Sequence, residues 1–175
     1  MIVYSMSCSA DGYINEPDGS FGWTAPTDEL HRFHNQRVAE TDVQLMGRRL
    51  YETMLVWETE EFTDPTMAEF AEIWRGLERI VFSTTLKTIE GTGRLATRSL
   101  AEEIAALGDK TIAVGGAGLA AECMREGLID EFHLFVAPIV VGGGTPYFPP
   151  DAHIDLDLIE TRTFGSTVHL RYRRV

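Results

Sequence analysis

Strand-like and helix-like stretches alternate along nearly the whole of this chain, and that alternation restricts its fold more than any other feature. Ile2 to Cys8 alternates and is rich in apolar residues, which predicts a first strand. Pro26 suits the first turn of a helix in which Leu30, Phe33 and Val38 share a face. Asp42 to Met46 reads as the second strand, and Arg48 to about Leu55 as the helix that follows. Glu58 to Pro65 is acidic and irregular, after which Met67, Phe70, Ile73, Trp74 and Leu77 are spaced for an amphipathic helix. Arg79 to Ser83 is a strand, and Gly93 to Ala96 a further short one. Ser99 with Glu102 forms a capping box ahead of the stripe Leu100, Ile104 and Leu107, and Gly108 stands where a C-cap glycine belongs. Lys110 to Val114 is a strand, Leu119 to Glu126 a helix stopped by Gly127, and Glu131 to Val136 another strand. Leu156 to Phe164 and Thr167 to Arg173, joined by Gly165-Ser166, read as a closing hairpin. Strands separated by helices run parallel and need cover on both faces. The expected fold is therefore one α/β domain over residues 1–175, a three-layer α/β/α arrangement. Its sheet is mixed and mostly parallel, with an antiparallel C-terminal hairpin.

In such sheets ligands bind outside the carboxyl ends of the strands. Three of those ends carry unusual chemistry: Gly47-Arg48-Arg49, Ser83-Thr84-Thr85 and Gly115-Gly116. A strand that turns at once into a helix presents backbone N–H groups to an anion. Glycine lets a ligand approach the backbone, and arginine offers a permanently charged planar fork. Each signal also reads as a tight turn or a helix cap; their recurrence at successive strand ends is what suits a pyrophosphate and a further phosphate. The chain as a whole is acidic, with 15 Lys and Arg against 27 Asp and Glu and a net charge of -12. That balance argues against a nucleic-acid or anionic-membrane partner and leaves a small molecule as the expected one. Cys8 and Cys123 show no Cys-x-x-Cys spacing and read as free thiols in a reducing compartment. The first residues carry no basic segment followed by an apolar run, and no stretch approaches the ~18 apolar residues of a membrane span. A cytoplasmic protein is expected.

At the strand ends the residues carry a resemblance. Met46-Gly47-Arg48-Arg49-Leu50-Tyr51-Glu52 is similar to the Gly-Arg-x-Thr-Trp/Tyr-Glu segment of dihydrofolate reductases, with Leu50 where many of them have Thr. Ile80-Val81-Phe82-Ser83 resembles their next cofactor-binding strand, and Val114-Gly115-Gly116 their double-glycine turn. Trp23 to Asp28 matches the spacing of the segment that carries their active-site carboxylate. Ser9-Ala10-Asp11-Gly12-Tyr13-Ile14, Gly127 to Glu131 and Ala137 to Thr145 instead resemble the reductase domain of the bifunctional riboflavin-biosynthesis deaminase–reductase, which shares that fold. The zinc deaminase signature of its other half is absent from this chain.

The resemblance implies an NADPH-dependent reductase of a pyrimidine or pterin-like substrate, closest to 5-amino-6-(5-phosphoribosylamino)uracil reductase. The alternatives are dihydrofolate reduction and, from another class, a non-catalytic nucleotide-binding module. It implies Gly47, Arg48 and Arg49 at the cofactor phosphates, Ser83 and Thr84 at the adenosine side, and Gly115, Gly116, Ala117 and Gly118 at the pyrophosphate. It places Ile14 and Trp23 in a mobile loop closing over the nicotinamide, and it implies a possible homodimer. Asp28 would accept N–H bonds from an aminopyrimidine and favour its protonation as hydride arrives. Read without the resemblance, Asp28 is an acid in the first turn of a helix, stabilised by the helix dipole. Phe33 could pack on a planar substrate ring or be core, and Asp11 reads as a turn residue. His31 and His34 are spaced three apart, as metal ligands can be, but no Cys/His cluster supports a metal and a solvated helix face is expected. Around Asp28 no basic partner for a substrate phosphate or a folate glutamate is evident, with Arg32 and Arg37 one and two turns away.

Overall fold

Pairing in the sheet places its oldest-numbered strand near the middle. The computed structural model describes residues 1–175. Its strands are β1 (Ile2–Ser9), β2 (Val43–Gly47), β3 (Glu78–Phe82), β4 (Arg94–Leu95), β5 (Ile112–Gly115), β6 (Glu131–Ala137), β7 (Leu156–Phe164) and β8 (Thr167–Arg174). They form one sheet in the order β4-β3-β2-β5-β1-β6-β8-β7. The first six are parallel, and β8 runs antiparallel to both β6 and β7. The helices are α1 (Asp28–Ala39), α2 (Arg48–Met54), α3 (Val56–Thr59), α4 (Pro65–Gly76), α5 (Leu100–Leu107) and α6 (Ala117–Arg125). This is the expected mixed α/β architecture. The α-helix the sequence did not announce is α3, a single turn that runs into the start of the stretch read as irregular.

Alternate residues of a strand point to opposite faces, and the two faces carry separate cores. One face buries Tyr4, Val43, Leu45, Ile80, Ile112, Val114 and Phe132 beneath α5 and α6, which contribute Leu100, Leu119, Ala120, Cys123 and Met124. On the other face Met46 and Val81 pack under α2 and α4 through Tyr51, Phe70 and Trp74. Further along that face Phe135 and Phe164 pack with Leu30 and Phe33 of α1. The face of α1 is wider than expected, because Val38 packs with the Met46 cluster while Leu30 and Phe33 join Phe135. Cys8 and Cys123 are both buried and unpaired. Burial pushes their thiols up to about 11 and about 12, so neither forms a thiolate at neutral pH.

Candidate functional site

Five parallel strands, β3, β2, β5, β1 and β6, finish side by side at one edge of the sheet. The helices that start at this edge differ in how they are capped. Thr27 accepts from the Leu30 N–H, and Asp64 accepts from the N–H groups of Thr66 and Met67. By contrast α2 starts after Gly47 and α6 after Gly116, and neither has a side-chain cap. Met46 and Gly115 are directly paired, so these two uncapped starts lie next to each other. A Cβ at Gly47 would meet nothing within 4 Å, and Gly116 holds φ at +89°, a conformation that favours glycine. Gly115 has a different reason to be glycine. A Cβ there would lie 2.5 Å from Leu50 Cδ2 and 2.9 Å from Gln44 Nε2, so its role is the close packing of α2 on β5. Leu50, which stands in place of the expected Thr, supplies that contact.

The charged and hydroxyl groups expected here are at the same edge and largely exposed. Arg48 donates to Glu52 one turn on at 2.7 Å, while Arg49 is exposed with no acidic partner. Ser83 Oγ accepts the N–H groups of Thr85 and Leu86, which folds the chain after β3 into a turn, and Thr84 is exposed at its tip. Ala117 and Gly118 form the first turn of α6, where Gly118 is exposed.

The long connection from β1 to α1 divides in two. Ile14 N–H donates to Thr145 O, Thr145 N–H to Asn15 Oδ1 and Tyr147 N–H to Gly12 O. Asp11 accepts from the N–H groups of Val141 and Gly142, at 3.2 and 2.8 Å. A hydroxyl from Ser9, with those two N–H groups, holds the Asp11 carboxyl below its ordinary value. Asp11 is thus the turn residue expected, pinning the glycine loop. Ile14 packs against the main core, so the loop placement implied for it is corrected: it belongs to the anchored half. From Glu16 to Ala25 the hydrogen bonds all close within the segment. Trp23 lies here, in the short 3-10 turn Gly22–Thr24, with its Nε1 buried and without a partner.

Asp28 is the first residue of α1 and is exposed. Phe33 does not share its neighbourhood. Five residues at ~100° each bring it well round the helix, and its ring packs on Phe164 at 4.9 Å and His169 at 5.3 Å, beneath Arg162. Of the two readings of Phe33, the core one is what the structure shows. The solvated face expected for His31 and His34 is also corrected. His34 lies 4.5 Å from Phe135, and burial first, then nearby Arg37, lowers its pKa to about 3. His31 is half-buried beside Phe70 and Trp57, at 5.8 and 6.1 Å, and Trp57 stacks on Phe62 at 4.6 Å. The continuous run of rings from His31 to Phe62 beside Asp28 escaped the sequence reading, because its members come from α1, α3 and the α3–α4 connection.

A second group went unread for a similar reason. On the α1 face of the sheet, Arg171 donates to both oxygens of Glu131, at 2.9 and 3.0 Å. His133 lies 3.3 Å from Glu131 and 3.1 Å from His169, and Arg37 donates to Ser5 Oγ at 2.8 Å over the Phe135 ring. Burial lowers His133 to about 2 and His169 to about 4. The available signal was polar residues two apart, Glu131 with His133 and His169 with Arg171, in strands otherwise apolar on one side. No three His, Cys, Asp or Glu side chains come together as a metal-binding group, and no helix is long and apolar enough to cross a membrane.

Comparison with known proteins extends this geometry. The family model described as the RibD C-terminal domain matches residues 1–170. The protein YwjB of Bacillus subtilis (strain 168) is 30% identical over 174 residues, covering 98% of this chain and 97% of its own. A crystal structure from Shewanella sp. PV-4, named for riboflavin biosynthesis, superposes with a TM-score of 0.80 at 22% identity over 99% of this chain and 98% of that one. Dihydrofolate reductase from Enterococcus faecalis, complexed with NADP(H), superposes with a TM-score of 0.69 at 15% identity over 99% and 96% of the two chains. The fold is therefore similar to that of dihydrofolate reductases.

Proposed function

Because this chain belongs to the RibD C-terminal domain family, we propose that it is an NADPH-dependent reductase of a pyrimidine or pterin-like substrate, of the 5-amino-6-(5-phosphoribosylamino)uracil reductase type. The observation that carries the reading is the pair of helices, α2 and α6, that start uncapped at adjacent strand ends while α1, α4 and α5 are capped by their own side chains. Orphan N–H groups beside one another, with open space over Gly47, fit a pyrophosphate. Arg48 and Arg49 would neutralise the cofactor's phosphates in an otherwise acidic chain, and Ser83 and Thr84 would donate to its adenosine end. When bound, NADPH supplies the hydride. Asp28 would accept N–H bonds from the substrate's amino-pyrimidine and orient the C=N bond that takes the hydride, at the opened ribosyl C1′ of the phosphoribosylamino compound or in the ring of a pterin. The Glu16–Ala25 segment, bonded only to itself, would fold over the site with Trp23 and exclude water.

The test is NADPH oxidation with 5-amino-6-(5-phosphoribosylamino)uracil and with dihydrofolate, side by side. Asp28→Asn should lower kcat about 100-fold or more and leave the NADPH Kd unchanged. A variant that keeps wild-type turnover removes Asp28 from the chemistry. NADPH binding with no oxidation by either substrate favours a nucleotide-binding module instead.

A further inference from the structure

We propose that Tyr51, Glu58 and Arg79 form a clamp that positions the adenosine side of the cofactor site. The inference rests on the reductase reading above and deepens it: these residues touch neither cofactor nor substrate, yet set the affinity for one half of the cofactor. On that reading the connection from β3 to β4, residues 83–93, supplies Ser83 and Thr84 to the adenosine end. By itself this connection has little to hold it. From Thr84 to Gly93 it forms no backbone–backbone hydrogen bond, and Thr84, Thr85, Lys87 and Thr88 are exposed. A segment with its backbone groups in water samples many conformations, and a ligand that needs one of them must offset the cost of ordering it.

Side chains provide the order instead. Ser83 Oγ turns the near end by accepting from Thr85 and Leu86. The far end is gripped from three elements at once. From α2, the Tyr51 hydroxyl donates to Glu90 O at 2.7 Å and accepts from Gly93 N–H at 3.0 Å. From α3, Glu58 accepts from the Thr92 N–H at 2.8 Å and from the Thr92 hydroxyl at 3.1 Å. From β3, Arg79 donates to the Thr92 hydroxyl and lies 3.5 Å from the Glu58 carboxylate. The fit is close. A Cβ at Gly91 would stand 2.7 Å from both the Tyr51 hydroxyl and Glu58 Oε2, and one at Gly93 would stand 2.8 Å from the Tyr51 ring. The backbone therefore lies directly on these side chains, at two positions that favour glycine. Tyr51 and Arg79 are buried. A phenyl ring would complete the same core as Tyr51; the hydroxyl is the addition, and both of its bonds go to the connection. Since α2 starts at Arg48, by the cofactor phosphates, and reaches the connection three residues later through Tyr51, one short helix joins the phosphate end to the adenosine wall.

Cofactor fragments separate this role from general packing. NADPH, its adenosine half (2′,5′-ADP) and its other half (reduced nicotinamide mononucleotide) are titrated against the intact protein by calorimetry. Tyr51→Phe should raise the Kd of NADPH and of 2′,5′-ADP together by about threefold to tenfold, the span expected for a lost hydrogen bond. The Kd of the mononucleotide should stay unchanged. Thr92→Val, at an exposed position where folding is not at stake, should move the same two values in the same direction. In turnover, KM for NADPH should rise by the same factor while kcat at saturating NADPH is unchanged. A NADPH Kd that matches wild type in both variants overturns the proposal and leaves the reductase reading standing. An equal loss for the two fragments assigns Tyr51 to packing and overturns the proposal as well. A wild-type protein that binds none of the three overturns the cofactor reading, and the proposal with it.

Discussion

Residue-level packing identifies two sensitive positions. Gly115 sits where any side chain would strike Leu50 and Gln44. Gly115→Ala should destabilise the fold by about 1 kcal/mol, the low end for overpacking, because both atoms it would strike end flexible side chains. Adding Leu50→Ala to the same chain should recover part of the loss, and urea unfolding of the four-member cycle measures the coupling. If the two changes add without interaction, Gly115 is glycine for another reason. Glu131 is the second sensitive residue. Its carboxylate takes both Arg171 bonds and a contact from His133 while only 4% of the residue is exposed. Glu131→Ala strands those partners and should cost about 3 kcal/mol, at the low end for a buried pair because Arg171 retains contact with solvent. Urea unfolding that returns wild-type stability rules out the pair as a contributor.

Among the elements, legibility followed locality. The capping box of α5 was readable from Ser99 and Glu102 and is present, the Ser99 hydroxyl accepting from Glu102 N–H and the Glu102 carboxylate accepting from Ser99 N–H. Ser99→Ala should lower stability by about 1 kcal/mol, seen as a lower urea midpoint with an unchanged slope. Strand ends carrying glycine were readable for the same reason, since β2 and α2 are adjacent in sequence. What could not be read depends on segments far apart. The Tyr51 hydroxyl donates to Glu90 O and accepts from Gly93 N–H, while Glu58 accepts from the Thr92 N–H and Arg79 lies over the Trp74 ring. That clamp ties α2 and α3 to the connection between β3 and β4. Tyr51→Phe should speed amide exchange at Gly93 while leaving exchange in β2 unchanged. The two halves of the β1–α1 connection, the buried side of His34 and the core packing of Phe33 were hidden likewise, because each is decided by β6, β8 or the glycine loop.

For the molecule as a whole, three buried imidazoles give folding an acid dependence. Burial holds His34 at about 3, His133 at about 2 and His169 at about 4, against about 6.5 in an unfolded chain. As pH falls below about 6.5 the unfolded chain takes up these protons first, so the stability they contribute is complete above that pH and declines as pH drops towards 4. Glu103, held at about 2 chiefly by its hydrogen bond from Arg94, adds a loss of the same sign at lower pH. A thermal midpoint that falls between pH 7 and pH 4 is the expected result, and one that stays level across that range contradicts it.

Order along the chain and order across the sheet also disagree, and the disagreement governs how the protein comes to be folded. β1 lies between β5 and β6, and its Ile2 N–H donates to Asp130, 128 positions away. Such distant pairing makes loop closure the slow step and predicts refolding on the millisecond-to-second scale. During synthesis β1, largely apolar, waits unpaired until β5 has emerged and keeps one edge open until β6 has. A product that stops before Glu131 leaves one side of that strand open, an adhesive edge to any similar chain. The centre of the sheet is completed only when β6 arrives, and chaperone demand should concentrate on the interval before it.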